Sequence, residues 1–234
     1  MNGKLIGVGL GPGDPELMTL KAHRVIANAA VIAYPALENG DSFARSIAAD
    51  VIPDAAREIT IHIPMTQERA PAQAAYDRGA ADIAAALETG RDVVVLCEGD
   101  PFFYGSFMYL FTRLADRFTT EIIPGVTSVT ACAAAAKTPL TARNDVLTII
   151  PGPLDSDTMR QRIEAAGAVA IMKVGRHLGK IRTLLEQMDL APRARYIERA
   201  SLPSERVLPL SEAPDPAPYF SMILIAKGQD PWLT

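Results

Sequence analysis

The sequence predicts an α/β chain in two units, and three observations carry the prediction. Short apolar, β-rich runs alternate with helical patterns along the chain, as expected of largely parallel sheets covered by helices. Val93–Cys97 is an unbroken apolar run, which suits a strand buried on both faces. Near Thr119 the alternation begins afresh, dividing the 234 residues into an amino-terminal domain, 1–117, and a carboxy-terminal domain, 118–234.

Taken in order, residues 5–8 form a strand that runs into a glycine-rich loop and a helix over 17–29. Asp14 caps that helix, with Pro15 at its first position and Glu16 in its first turn. A strand at 30–34, a helix at 42–49 and a strand at 59–63 follow, the last stopped by Pro64. Residues 71–87 are an alanine-rich helix with Gly90 beyond its end, a usual stop signal. The 93–97 strand precedes a helix over 104–118. In the second half, strands are expected at 121–123, 146–150, 168–172, 195–197 and 222–226. Helices are expected at 125–136, 157–166 and 178–188. Four prolines between 209 and 218 mark an extended connection.

Composition narrows the function. Hydrophobic residues are 49% and charged residues 21%, ordinary for a globular protein. The net charge of −4 and the scattered aromatics give no nucleic-acid footprint. No apolar run reaches the length of a membrane span. The first residues carry none of the marks of a secretory signal, and Cys97 and Cys132 stand alone. The expectation is a cytoplasmic chain with two free thiols. The scattered His23, His62 and His177 leave no metal-ligand spacing.

Three segments point to a ligand. Gly7-Val8-Gly9-Leu10-Gly11-Pro12-Gly13-Asp14 is a bare loop that lets something approach the backbone closely. It is not a dinucleotide fingerprint, because Pro12 stands where the third glycine belongs, and no Gly-Lys-Ser or Gly-Lys-Thr follows. The Val93–Cys97 strand runs into Glu98-Gly99-Asp100-Pro101-Phe102-Phe103-Tyr104-Gly105-Ser106, and Ile122-Ile123 into Pro124-Gly125-Val126-Thr127-Ser128. Each segment alone reads equally as a turn or a helix cap.

Together and in this order, the three segments resemble the signature of the tetrapyrrole methylase family, and the likeness extends over essentially the whole chain. Features of one subgroup add to it: Ala33-Tyr34-Pro35-Ala36, the Ile63-Pro64-Met65-Thr66 turn, and Met172-Lys173-Val174-Gly175-Arg176. The resemblance implies a two-domain α/β homodimer with the cofactor cleft between domains, unlike the Rossmann-like methyltransferase fold. It implies S-adenosylmethionine (S-adenosyl-L-methionine) as methyl donor, S-adenosyl-L-homocysteine as product, a tetrapyrrole substrate and no protein-bound metal. Carried over by position, Pro12, Glu98, Gly99, Asp100, Tyr104, Thr127 and Ser128 would contact the cofactor. So would Lys173, Ala200 and Ser221 or Met222 in the second domain.

A reduced tetrapyrrole supplies its own carbon nucleophile, so alignment and exclusion of water are the protein's main tasks. Asp14, Glu98, Asp100 and Tyr104 are the candidates for any acid or base role, each with an alternative as cap, turn or cofactor contact. The substrate's carboxylates call for a locally basic cleft, for which Arg143, Arg176, His177, Arg199 and Arg206 are candidates; each also reads as a solvated surface charge. Phe102, Phe103, Phe107 and Tyr109 suggest an enclosed aromatic pocket rather than a peptide groove. A non-catalytic nucleotide-binding module remains the reading from another class.

Overall fold

β1 (Leu5–Gly9) is buried throughout and lies between two later strands. The computed structural model describes residues 1–64 and 68–227. Met65 and Thr66 of the expected Ile63–Thr66 turn, and residues 228–234 of the expected second domain, lie outside those. The chain packs as two units, Met1–Thr127 and Ser128–Thr234.

The first unit holds one parallel sheet. β2 (Val31–Ala36), β3 (Arg57–His62), β4 (Val93–Cys97) and β5 (Thr120–Ile123) join β1 in the order β3-β2-β4-β1-β5. The Val93–Cys97 strand has all five residues buried, because α1 (Leu20–Ala27) and α2 (Phe43–Ile47) cover one face of the sheet while α3 (Arg69–Glu88) and α4 (Phe107–Leu114) cover the other. Helix starts follow local chemistry. Asp14 accepts from the Glu16 N–H and caps only a single 3-10 turn, Pro15–Leu17. The following α-helix starts later than expected, at Leu20, where Thr19 accepts from Ala22.

The division between units lies ten residues beyond the expected 117/118 boundary. β5 pairs in parallel with β1, Leu5 opposite Thr120 through Val8 opposite Ile123. The first sheet therefore needs a strand that alternation alone assigns to the second half.

The second unit departs further. β6 (Leu147–Pro151), β7 (Ala168–Met172), β8 (Ala194–Glu198), β9 (Arg206–Pro209) and β10 (Ser221–Ala226) form a sheet in the order β6-β7-β10-β8-β9. Only the β6–β7 pair is parallel; β7–β10, β10–β8 and β8–β9 are antiparallel. The segment between β8 and β9 is too short for the crossover that a parallel pair requires. The proline-rich stretch expected as a bare connection begins inside β9, continues as a 3-10 turn at Leu210–Glu212, and buries Leu210, Ala213 and Ala217. α6 (Ser156–Ala165) and α7 (Leu178–Gln187) contribute to this unit's core, and α5 (Ser128–Ala135) lies against β10.

Candidate functional site

Parallel pairing puts the carboxyl ends of β4, β1 and β5 side by side, so the three motif loops start at one end of one sheet. Ligands of open α/β sheets bind at such ends. Leu10 N–H donates to the Cys97 carbonyl at 3.0 Å, and Gly11 and Gly99 exchange N–H bonds at 3.2 and 2.7 Å. The glycine-rich loop is thus zipped onto the Gly-Asp-Pro loop.

Two of its four glycines, Gly7 and Gly9, serve packing rather than ligand access. A Cβ at Gly7 would lie 2.6 Å from the Phe107 ring. One at Gly9 would meet Gly125 N at 2.6 Å and Gly99 O at 2.7 Å. Gly99 differs: its φ is +65° and no atom of the described residues stands within 4 Å of where a Cβ would be. A left-handed residue beside open space is the part of this loop cluster that can receive a ligand's edge.

The Asp100 carboxylate is spent on architecture. One oxygen accepts from Phe102 and Phe103 N–H at 2.9 and 3.1 Å. The other accepts from Gly125 N–H at 3.0 Å. This geometry ties the β4 loop to the β5 loop and argues against proton transfer by Asp100. Asp14 is engaged as the cap already described.

Glu98 is partly buried, and desolvation pushes its carboxyl above the usual carboxylate range, partly offset by main-chain bonding at Glu98 and Ala44. Burial therefore favours the protonated form of this side chain. The folded state then keeps this proton at pH values where the unfolded chain has released it. Its contribution is present at low pH and is lost as pH rises above the usual carboxylate range. Glu98→Gln should therefore leave the urea midpoint unchanged near pH ~4 and raise it near pH ~7. A pH-independent difference would refute the raised Glu98 carboxyl.

Tyr104 has φ 57° and is 43% exposed, its ring edge-on to Phe103 at 5.3 Å. The expected aromatic enclosure is not formed this way. Of Phe102, Phe103, Phe107 and Tyr109, Phe107 is core and Phe103 partly buried, whereas Phe102 and Tyr109 are exposed. α4 buries Phe107, Leu110 and Leu114 and packs Phe111, partly buried, against the same core. Thr127 is partly buried at the end of this unit, and Ser128 opens α5 in the next. Cys97 and Cys132 are free and buried, and burial raises their thiols to about 11 and about 12.

In the second unit the register collects the expected residues at one sheet end. Met172 faces Met222, so Lys173 follows directly beside Ser221 and Met222. Ser221 faces Glu198, two residues before Ala200. Lys173, Arg199 and Ser201 all have left-handed φ values, 57°, 51° and 67°. Strain of this kind persists only where the surroundings enforce it and clusters at functional sites. Arg176, His177, Arg199 and Arg206 lie at this same end. Arg143 does not: it precedes the amino end of β6, which pairs with the amino end of β7. Burial, aided by Lys180 and Arg176, lowers the His177 pKa and favours the neutral ring. Arg206 donates to the buried Glu198 at 3.2 Å, so its charge already has an internal partner. Sequence reasoning missed Glu198 and Tyr196; a lone glutamate in the Arg195–Ala200 run reads as an ordinary surface position. Among the described residues no group of three or more His, Cys, Asp or Glu could hold a metal.

The strand orders define a two-sheet α/β protein without the Rossmann strand order. Residues 4–214 match the family model of Tetrapyrrole (Corrin/Porphyrin) Methylases, and the chain belongs to that family. It is 40% identical over 237 residues to the precorrin-2 C(20)-methyltransferase of Sinorhizobium sp, covering 97% of both chains. It is 34% identical over 231 residues to the cobalt-precorrin-2 C(20)-methyltransferase of Salmonella typhimurium, covering 97% of this chain and 98% of that one. Cobalamin biosynthesis protein CobIJ of Mycobacterium tuberculosis is 42% identical over 236 residues, 97% of this chain but 46% of that protein. The chain thus spans about half the length of CobIJ. The uroporphyrin-III C-methyl transferase of Thermus thermophilus, solved with S-adenyl homocysteine, superposes with a TM-score of 0.66 at 27% identity, covering 95% and 97% of the two chains.

Proposed function

We propose that this chain transfers a methyl group from S-adenosylmethionine to C-20 of precorrin-2, giving precorrin-3A in corrin (vitamin B12) biosynthesis. The carrying observation is the likeness to a precorrin-2 C(20)-methyltransferase at 40% identity across 97% of both chains. The three motif loops at one sheet end support it.

The residues present fit the methyl donor. Gly99 offers open space beside a left-handed backbone, and Pro12, Glu98 and Tyr104 border the same loops. In the second unit, Lys173, Ala200 and Ser221 share one sheet end. S-adenosylmethionine supplies the electrophilic methyl, and the conjugated substrate carbon is the nucleophile. The chain's task is then to bind and align the two and to keep water away. Asp100 and Gly125 hold the loops in place, and Glu98 is the group to accept or hold a proton. Arg176 and Arg199 are the better candidates to grip substrate carboxylates; Arg206 serves Glu198 first. The same reading makes the protein a cytoplasmic homodimer, and light scattering would check the dimer.

The testing experiment supplies methyl-labelled S-adenosylmethionine and intact precorrin-2 without oxygen. One added methyl, placed at C-20 by NMR, is the expected result. Label on another ring carbon would overturn the regiochemistry. Transfer only to cobalt-precorrin-2 would favour the second reading, which the Salmonella relative's name supports. Cofactor binding with no transfer to either substrate would leave a binding module.

A further inference from the structure

Glu198 and Ser221 are the buried polar residues among the described ones, 3% and 7% exposed, and they face each other across the β8–β10 pair. A carboxylate this buried persists only when its oxygens are satisfied. Tyr196 Oη donates to Glu198 Oε2 at 2.7 Å, and Arg206 Nη1 donates to Oε1 at 3.2 Å. Ser221 Oγ donates to the Pro218 carbonyl at 2.6 Å and accepts from Gly175 N–H at 3.4 Å. These bonds fasten β8, β9, β10 and the turn after β7 at one sheet end. Immediately beyond Glu198 runs the left-handed Arg199–Ser201 turn, held by Arg199 N–H on the Phe220 carbonyl at 2.8 Å and Ser201 N–H on Glu205 at 2.6 Å.

We propose that Glu198 is a positioning residue for the methyl donor: clamped between Tyr196 and Arg206 opposite Ser221, it holds the Arg199–Ser201 turn and the start of β10 in the shape that S-adenosylmethionine binds. The proposal rests on the methyltransferase reading above. Glu198 itself touches no substrate; it acts through Ala200 and Ser221. An apolar residue would fill the same volume, so the charged network is more than filler for the core. It gives the sheet end one allowed arrangement, because a misplaced turn would strand a buried carboxylate.

The test uses the full chain as wild type, Glu198→Gln and Tyr196→Phe. S-adenosylhomocysteine affinity is measured by calorimetry, with KM for each substrate, kcat and thermal midpoint alongside. Glu198→Gln is expected to weaken S-adenosylhomocysteine about tenfold. It should raise KM for S-adenosylmethionine in the same ratio, with kcat and the tetrapyrrole KM nearly unchanged. Tyr196→Phe keeps the ring packed and loses one hydrogen bond, for about a threefold loss. A general structural defect would lower the thermal midpoint without this split. Equal affinity in folded Glu198→Gln and wild type, or a loss confined to kcat, overturns the proposal. Should Glu198→Gln not fold, unchanged affinity in Tyr196→Phe overturns it alone. Wild-type protein that binds no S-adenosylhomocysteine sinks the methyltransferase reading, and this proposal with it.

Discussion

Gly125→Ala is expected to destabilise the first unit by about 3 kcal/mol or more, and to abolish S-adenosylhomocysteine binding by the folded remainder. The new methyl would lie 2.0 Å from the Gly99 carbonyl and 2.9 Å from the Gly9 main chain. All of these neighbours are backbone, so no side-chain rotation relieves the overlap. Relief needs the β1, β4 and β5 loops to separate, which breaks the Gly11–Gly99 pair and the Asp100–Gly125 bond. For a domain with a net stability of about 5–15 kcal/mol, that is a large fraction. Gly99→Ala is the informative contrast. Its methyl enters open space, so the cost is the left-handed φ, about 1–2 kcal/mol. Urea midpoints check both, and equal midpoints for the two variants would refute the backbone contact.

Asp100→Ala is expected to cost about 2–3 kcal/mol and to lower kcat/KM for methyl transfer about 100-fold. Three main-chain N–H groups lose one shared acceptor. The loop over Pro101–Tyr104 then loses the Asp100 link to the β5 loop. Asp100→Asn separates the two attachments. An amide oxygen can still accept from Phe102 and Phe103, but an amide nitrogen cannot accept from Gly125. The asparagine variant should therefore keep more stability than alanine while losing most of the activity. Activity in Asp100→Asn close to wild type would mean that the link to Gly125 is not needed for catalysis.

These two residues also show where reading the sequence stops. The Gly-Asp-Pro and Pro-Gly segments were legible as sites because their composition is unusual and each follows an apolar run. That Asp100 is a bolt between them was not legible. Its partner Gly125 lies 25 residues away, and only strand order brings it near. The glycine-rich loop was legible as a special backbone, but not the reason for each glycine, since Phe107 and Gly99 approach Gly7 and Gly9 from distant parts of the chain.

Local signals determined the elements. Val93–Cys97 and Ala168–Met172 are fully buried strands, and each is written as a continuous apolar run. Those signals depend on neighbours in the chain, which is why they survive without coordinates. The motif order pointed to the family for a similar reason. Pairing was decided by tertiary structure alone. Nothing local says that β5 completes the first sheet, that β10 runs antiparallel between β7 and β8, or that Arg206 meets a buried Glu198. A strand's apolar pattern specifies that it must be covered, not by which partner or in which direction, because every strand offers the same backbone donors and acceptors. The choice among partners is made by the collective packing of both sheets.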